Sequence, residues 1–308
     1  MTLFTPYIEI TTSSFCSNNC SFCPQKLFLT AYASKLQKAD RLMSMETFQK
    51  AVSWAPPGFY IYFSGFSEPF MNPLCTEMIL YAHKHKRHVG LFTTLMGATM
   101  KDIKKILTTL TIRPGEDGLI IHLPSENKIE NIIVTGDYLQ MLKYILSISG
   151  DNIELHYHGY NLRKEVKEVV TSLKRKVHFV KLVSRPGTIK LPNESLRKRL
   201  RGCIGCKRLG MHEHVILPDG TVVLCCNDFG MKHVLGNIYK EDYESVRNSK
   251  EMKRILRGFD NENIDILCRN CNSAINQADR LAYLKTPFSL EKMREHLKLL
   301  SLIKEMKN

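Results

Sequence analysis

Short runs of hydrophobic, β-branched and aromatic residues alternate along the first part of the chain with stretches of helical periodicity. The short runs predict six β-strands: Tyr7–Thr11, Tyr60–Ser64, Val89–Thr93, Leu119–His122, Ile153–Tyr157 and Phe179–Val183. The stretches between them predict five helices: Glu46–Trp54, Leu74–Lys86, Lys101–Leu110, Tyr138–Ile148 and Leu162–Lys174. A strand-then-helix order that repeats in this way predicts parallel strands joined by right-handed crossovers. The predicted fold class is therefore α/β, with a partial (β/α)6 TIM-like barrel that is open on one side.

The pattern changes after the sixth predicted strand. Two β-rich arms flank the turn Pro218-Asp219-Gly220, which predicts a β-hairpin over residues 215–224. Near the C-terminus, Ser289 precedes apolar residues at helical spacing, which predicts a capped amphipathic helix. A Pro/Gly break at Pro186-Gly187 predicts a domain boundary. We therefore expect the partial barrel over residues 1–185 and a small C-terminal domain over residues 186–308.

The composition is that of an ordinary globular protein, with 44% hydrophobic and 24% charged residues among 308. No apolar run approaches the ~20 residues needed to cross a bilayer. The N-terminus also lacks the basic flank and apolar core of a signal peptide. We therefore expect a cytoplasmic protein without a membrane partner. Ten cysteines in such a chain favour metal or redox chemistry over a disulfide framework.

The tightest group of cysteines directly follows the first predicted strand. Cys16, Cys20 and Cys23 have the spacing Cys-x-x-x-Cys-x-x-Cys. Thiolates at this spacing can hold three corners of a 4Fe–4S cube while the fourth iron stays open to a ligand. The other interpretations are a zinc knuckle or three unrelated thiols. Structural zinc usually takes four protein ligands, and no nearby His or Cys is an obvious fourth, so we favour the open cluster.

This run of cysteines, with Phe22 just before the last one, resembles the signature of the radical S-adenosylmethionine (radical SAM) enzymes. The resemblance implies that the open iron chelates the methionine part of SAM and that Phe22 lies beside the adenine. The second predicted strand ends in a segment similar to the one that binds the SAM amino group in this family, which implies roles for Gly65, Ser67 and Glu68. The family usually has two adjacent glycines before its Glu-Pro pair. This chain has Gly-Phe-Ser instead, so Glu68 is the firmest part of the comparison.

Two threonines end the third predicted strand. Thr93 and Thr94 match positions in the same family that often touch the ribose or the carboxylate of SAM. A threonine at a strand end can equally be satisfied within the protein, and both interpretations stay open.

Six further cysteines fall in three groups in the C-terminal third: Cys203 and Cys206, Cys225 and Cys226, and Cys268 and Cys271. The predicted hairpin can bring the first two groups together, and the later Cys-x-x-Cys pair can close a four-thiolate site. Two complete auxiliary clusters need about seven or eight thiolates, so six cysteines indicate one cluster. A structural zinc site with the same ligands is the competing interpretation, because Cys-x-x-Cys pairs suit both metals.

This region resembles the auxiliary iron–sulfur domains called SPASM or twitch, which follow many radical SAM barrels. The likeness lies in the Asp-Gly hairpin, the Cys-Cys pair followed by Asp228, the segment Leu235–Ile238 and the distant Cys-x-x-Cys. Similarity to the single-cluster version of the domain implies a second 4Fe–4S cluster with four ligands: Cys206, Cys225, Cys268 and Cys271. Cys203 could replace Cys206, and Cys226 could replace Cys225.

Three histidines, His122, His156 and His158, lie at or near the ends of the fourth and fifth predicted strands. By the strand-end rule for such barrels, they could face the cavity and touch substrate. We assign no catalytic acid or base, because in this chemistry the reactive species comes from the cofactor.

The resemblance as a whole implies a radical SAM enzyme of the oxidoreductase or maturase type. It implies reductive cleavage of SAM to methionine and a 5′-deoxyadenosyl radical. This radical would take hydrogen from a peptide or from a small natural-product or sugar-like substrate. The auxiliary cluster would assist the oxidation, and a reduced flavodoxin or ferredoxin-like protein would donate the electron.

The charge distribution motivates a second class of function. The net charge is +14, and residues 163–208 contain fifteen Lys and Arg against three Glu, a balance that can attract an acidic substrate or RNA. Phe179 is the only aromatic residue in this stretch and no RNA-binding module is recognisable, so we do not expect a nucleic-acid partner. A radical SAM enzyme that modifies RNA and a non-catalytic iron–sulfur or zinc scaffold are the two alternatives.

Overall fold

A central parallel sheet is the first feature of the computed structural model, which describes residues 6–35, 40–148, 152–182, 185–186, 188, 199–207, 213–276 and 278–279. Its six strands are β1 (Tyr7–Ile10), β2 (Tyr60–Phe63), β3 (Val89–Thr93), β4 (Gly118–His122), β5 (Ile153–Tyr157) and β6 (His178–Phe179). Each strand pairs in parallel with the next in sequence. The predicted α/β class is confirmed, and the carboxyl ends of all six strands lie at one edge.

The inner strands are continuous apolar runs because both faces of the sheet are covered. All four residues of β2 are buried, as are the first four of β4. Strand β6 ends at Phe179, earlier than the predicted end at Val183, which lies outside the described residues. The predicted helix after Ser289 also lies outside them.

Six helices follow the strands: α1 (Gln25–Lys35), α2 (Met45–Trp54), α3 (Cys75–Lys84), α4 (Met100–Thr109), α5 (Gly136–Ser147) and α6 (Lys164–Ser172). The five predicted helices are confirmed, with small shifts at their ends. Side-chain caps fix some of these ends. Ser44 accepts a hydrogen bond from the backbone of Thr47 at the start of α2, and Thr99 forms a capping box with Asp102 at the start of α4.

Helix α1 was not predicted because its sequence lacks a clear apolar stripe: a polar residue is buried, and some apolar residues are exposed. Gln25 is buried and donates to the carbonyl of Ser14 over 3.1 Å. Leu27 and Leu29, by contrast, are 40% and 39% exposed. An apolar stripe is the main helix signal in a sequence, and here the stripe is weak.

The C-terminal third adds five strands among the described residues: β7 (Ile204–Cys206), β8 (Val215–Ile216), β9 (Thr221–Val223), β10 (Val234–Asn237) and β11 (Ala274–Asn276). The predicted hairpin is confirmed as β8 and β9, with Gly220 in the left-handed region at φ +83°. The hairpin does not stand apart from the barrel, because β8 pairs in parallel with β1. Over the part of the chain that the structure describes, the sheet therefore has nine strands in the order β10-β9-β8-β1-β2-β3-β4-β5-β6. The division into domains at residue 186 stays a prediction.

The remaining described elements of this third are a two-stranded sheet, two helices and a 3₁₀ turn. Strands β7 and β11 pair in antiparallel fashion, with Cys206 opposite Ala274. Helices α7 (Tyr243–Arg247) and α8 (Lys250–Asp260) precede a 3₁₀ turn at Leu267–Asn270. No helix among the described residues is long and apolar enough to cross a membrane.

Candidate metal and cofactor sites

A cavity of about 330 Å³ lies at the carboxyl ends of the parallel strands. Its lining includes every residue that the sequence assigned to the first cluster and to SAM: Cys16, Cys20, Cys23, Phe22, Gly65, Ser67, Glu68, Thr93 and Thr94. These residues come from the loop after β1, from the segment after β2 and from the end of β3. The fold therefore brings together residues that lie far apart in the sequence.

The cysteine loop is shaped by local turns. The backbone N–H of Cys23 donates to the carbonyl of Cys20 over 3.0 Å, and Asn19 has a left-handed φ of +46°. Burial raises the pKa of the Cys20 thiol, and the nearby Cys23 and Cys16 raise it further. Three half-buried thiols that repel one another as thiolates are the arrangement that bound iron cations would relieve.

Gly65, in the segment after β2, packs closely against Thr11. It has a φ of +74°, and a Cβ built on it would collide with the Thr11 hydroxyl. Its backbone N–H donates over 3.1 Å to Glu9 Oε2, which also accepts from the Ser64 hydroxyl over 2.9 Å. Glu9 is a buried carboxylate in the middle of an apolar strand, and it is part of the cavity lining. It was not predicted from the sequence. A charge at such a position in β1 was the available signal.

Glu68 is buried, and its carboxylate is engaged by the protein itself. It accepts from the Thr93 hydroxyl over 2.6 Å and from both the hydroxyl and the backbone N–H of Thr94 over 2.7 Å. The backbone N–H of Phe70 adds a longer bond of 3.4 Å. Burial raises the pKa of Glu68, and these hydrogen bonds lower it. In this structure the two threonines therefore donate their hydrogen bonds to Glu68, and these bonds join the end of β3 to the end of β2.

Two polar side chains in the cavity lining have buried atoms without a partner among the described residues. They are Asn18 Oδ1 and Ser67 Oγ. The other end of the Asn18 amide donates to Thr94 Oγ1 over 2.7 Å, which sets its orientation. An unsatisfied buried acceptor costs roughly 1–3 kcal/mol, so these two atoms fit a polar ligand in the cavity. Asn18 was not singled out from the sequence, although it lies inside the cysteine run.

Two of the three histidines line the same cavity, namely His122 and His158. Their rings stack with 5.3 Å between centroids, and Phe22 meets the His158 ring edge-on at 5.0 Å. His158 Nδ1 lies 2.8 Å from the carbonyl oxygen of Val180. A carbonyl can only accept, so Nδ1 carries the proton and Nε2 is an acceptor when the ring is neutral.

His156 is not among the residues that line the cavity. Its Nε2 lies 2.9 Å from Glu154 Oε2 on the same strand.

Burial lowers the pKa of His122 to about 3, with smaller contributions from His158, His156 and Arg185, so His122 is neutral at pH 7.

A second, much smaller cavity of about 30 Å³ lies in the C-terminal third. Its lining includes the four cysteines expected to hold the auxiliary cluster: Cys206, Cys225, Cys268 and Cys271. Burial raises the pKa of the Cys268 thiol, and the neighbouring Cys206 and Cys271 add to the shift.

Cys203 and Cys226, the two alternative ligands, do not line the small cavity. Cys226 lines the large cavity beside Phe229, and Cys203 lines neither cavity. Cys225 follows β9 after one residue, Leu224, and Cys226 begins the turn that comes next. The course of the chain through this turn places the two neighbouring side chains in different cavities.

Two side chains hold the turn that carries Cys268. Arg269 is fully buried, and its guanidinium donates to the carbonyls of Leu200, Gly202 and Gly258 over 2.7–3.0 Å. His233 Nε2 accepts from the backbone N–H of Leu267 over 2.9 Å. Neither residue has a recognisable sequence signal, because their partners are backbone atoms distant in the chain.

The donor chemistry of both cavities fits iron–sulfur clusters. Among the described residues, no three His, Cys, Asp or Glu side chains are grouped for a single metal ion. In a 4Fe–4S cube each thiolate binds a different iron. The ligand sulfurs therefore lie farther apart than those around a single metal ion.

Comparisons with known proteins agree with this arrangement. Residues 206–272 match the family model of SPASM, an iron–sulfur cluster-binding domain. The predicted SPASM-type region is therefore confirmed. None of the curated proteins compared with the chain matches it.

Several solved structures share the fold across nearly the whole chain. BtrN in complex with AdoMet and 2-DOIA is 15% identical over 88% of this chain and 94% of its own, with a TM-score of 0.57. SuiB of Streptococcus suis, bound to precursor peptide SuiA, is 13% identical over 87% of this chain and 70% of its own, with a TM-score of 0.58. anSMEcpe with bound AdoMet and Cp18Cys peptide is 14% identical over 97% and 99%, with a TM-score of 0.56. The chain thus has the partial-barrel fold of the radical SAM enzymes, followed by a SPASM domain.

Proposed function

We propose that this protein is a radical SAM enzyme. A 4Fe–4S cluster on Cys16, Cys20 and Cys23 would supply the electron that cleaves SAM and so starts hydrogen abstraction from the substrate. The observation that carries the proposal is the convergence on one cavity of these thiols and of two unpartnered buried polar atoms, on Asn18 and Ser67. The likeness of the whole chain to AdoMet-bound BtrN and anSMEcpe supports it.

The residues of this chain would bind and orient SAM. The left-handed Gly65 lets the segment after β2 pack against Thr11 at the edge of the cavity, and Phe22 offers a ring to the adenine. Asn18 Oδ1 and Ser67 Oγ are available to polar groups of SAM. Glu68 acts mainly through its bonds to the threonines that follow β3, which keep the strand ends in place.

We further propose that Cys206, Cys225, Cys268 and Cys271 hold one auxiliary 4Fe–4S cluster. The four residues line one small cavity, and the SPASM match over residues 206–272 supports iron rather than zinc. A site with four thiolate ligands leaves no iron open, so its role would be to accept or pass an electron during substrate oxidation.

The proposed substrate is a small molecule or a peptide. BtrN was solved with 2-DOIA, and SuiB and anSMEcpe were solved with peptides, so relatives of this fold support both classes. A reduced flavodoxin or ferredoxin-like protein is the proposed electron donor.

Anaerobic reconstitution with iron and sulfide tests the proposal. The wild type is expected to hold about eight irons and to release 5′-deoxyadenosine from SAM under strong reduction. A variant with Ala at Cys16, Cys20 and Cys23 is expected to keep about four irons and to release none. Wild-type protein that holds both clusters but leaves SAM intact would support the non-catalytic scaffold, and about one zinc in the variant would refute the auxiliary iron cluster.

A further inference from the structure

The turn after β9 connects the two cavities through three consecutive residues. Cys225 lines the small cavity, Cys226 lines the large one, and Asn227 lines the small one again. Asp228 fixes this turn: its backbone N–H donates to the carbonyl of Cys225 over 2.9 Å, and its carboxylate accepts from the backbone N–H groups of Lys232 and His233. The position of Asn227 is therefore set by backbone hydrogen bonds and not by a flexible loop.

Asn227 directs its amide at one of the candidate cluster ligands. Its Nδ2 lies 3.8 Å from Cys271 Sγ, within reach of a weak N–H···S hydrogen bond. The backbone N–H of Ser273 donates to the same sulfur over 3.4 Å. Cys271 Sγ thus faces two donors, one from its own loop and one from the turn that contacts the other cavity.

Hydrogen bonds to ligand sulfurs are one of the means by which a protein sets the potential of an iron–sulfur cluster. The added electron makes the cluster and its sulfurs more negative. The positive end of an N–H dipole therefore stabilises the reduced form more than the oxidised form. Donors at Cys271 would raise the reduction potential and make the auxiliary cluster a better electron acceptor.

We propose that Asn227 is a positioning residue that raises the reduction potential of the auxiliary cluster by donating a hydrogen bond to Cys271 Sγ. The inference rests on the proposed function, because it requires a cluster on the C-terminal cysteines. It assigns a role to a residue that is neither a ligand nor part of the SAM site.

The test uses the full chain with Ala at Cys16, Cys20 and Cys23, so that only the auxiliary cluster is observed. The measurement is a redox titration followed by electron paramagnetic resonance, for this background and for two added substitutions. Asn227→Leu keeps the branched shape and removes the donor, and Asn227→Asp replaces the donor by an anionic oxygen. The expected order of potentials is Asn highest, Leu lower and Asp lowest.

A matched control is Asn248→Leu. Asn248 lies at the end of α7, and its Nδ2 donates to the Glu244 carbonyl over 2.9 Å, away from both cavities. The control is expected to leave the potential unchanged. A resonance Raman measurement of the Fe–S(Cys) stretches adds a second readout: the shift between H₂O and D₂O should diminish in Asn227→Leu.

The outcomes separate the two proposals. A background protein that binds no iron refutes the auxiliary cluster itself, whatever Asn227 does. If iron is bound but both substitutions leave the potential and the isotope shift unchanged, the role of Asn227 is overturned. Loss of iron in both Asn227 variants would also overturn it, since the residue would then serve assembly and not the potential.

Discussion

The large cavity and the small cavity hold cysteines in opposite settings. The large one is lined by the three cysteines of the loop after β1 and by Cys226, with a volume of about 330 Å³ and a lining that includes unpartnered polar atoms. The small one has four cysteines and about 30 Å³. A site with three thiolates and free space suits a cluster that must bind a further ligand, whereas four thiolates around a small space suit a closed cluster. The number of proposed ligands and the space around them therefore point to the same division of roles.

The two sites also differ in how they are held. The three proposed ligands in the large cavity, Cys16, Cys20 and Cys23, lie in one short loop, and the strand ends around them are joined by side-chain hydrogen bonds to Glu9 and Glu68. The four cysteines of the small cavity come from distant parts of the chain, and buried side chains such as Arg269 tie these parts together. The small site should therefore be the more sensitive to changes in tertiary structure.

The largest expected effect concerns the choice of ligands at the small site. In the background with Ala at Cys16, Cys20 and Cys23, Cys268→Ala is expected to abolish binding of the remaining ~4 irons. Cys203→Ala and Cys226→Ala are the matched controls and should retain them, because neither residue lines the small cavity. Iron content after anaerobic reconstitution measures this. Iron loss in Cys226→Ala but not in Cys225→Ala would reverse the assignment.

A second prediction compares two glycines with left-handed backbone. Gly65→Ala should lower the free energy of unfolding by about 2–4 kcal/mol, because it adds backbone strain and a collision with Thr11. Gly115 has a φ of +85° but open space around it, so Gly115→Ala should cost only about 1–2 kcal/mol from strain. Thermal or urea unfolding of the two variants gives the comparison. Equal losses would mean that no close contact exists at Gly65.

The third prediction concerns the hydrogen bonds of Glu68. Glu68→Gln replaces an acceptor of three short bonds by an amide whose N–H groups would face other donors. Because the strand ends that surround SAM then shift, we expect SAM affinity to fall about tenfold, or about 1.4 kcal/mol. Equilibrium binding of SAM to the reconstituted protein measures it. Glu77→Gln, on α3 outside the cavity lining, is the control, and an unchanged affinity for Glu68→Gln would remove Glu68 from the SAM site.

The last prediction concerns the pH dependence of the free energy of unfolding. The pKa of His122 is about 3 in the folded protein, below its usual 6.5. The unfolded chain therefore binds the extra proton between these values, and stability falls as the pH drops below 6.5. Between pH 7.5 and 5.5 the share of His122 is a loss of about 1.4 kcal/mol.

His122→Gln, which cannot titrate, should reduce this loss by that amount. The measurement is the free energy of urea unfolding at the two pH values. His85→Gln serves as the control, since His85 lies at the exposed end of α3. An identical pH dependence in wild type and His122→Gln would show that His122 is not buried in the neutral form.

Local patterns in the sequence were enough to predict most of the fold and to propose the residues of the first site. The alternation of strands and helices predicted the parallel sheet, because each element depends on short-range periodicity. The run from Cys16 to Cys23 predicted an open cluster, because three ligands in one loop need little help from the rest of the chain. The SAM-site residues followed from a family resemblance at strand ends, and the fold does bring them to one cavity.

The tertiary structure decided what depends on register and on distant partners. Cys225 and Cys226 are chemically identical in the sequence, and only the course of the chain after β9 separates them between two cavities. The pairing of β8 with β1 could not be read from either strand, because strand pairing is a long-range choice. Arg269 and Asn227 gain their roles from partners far away in the chain. The sequence thus determined which chemistry is available, and the three-dimensional packing determined which atoms meet to perform it.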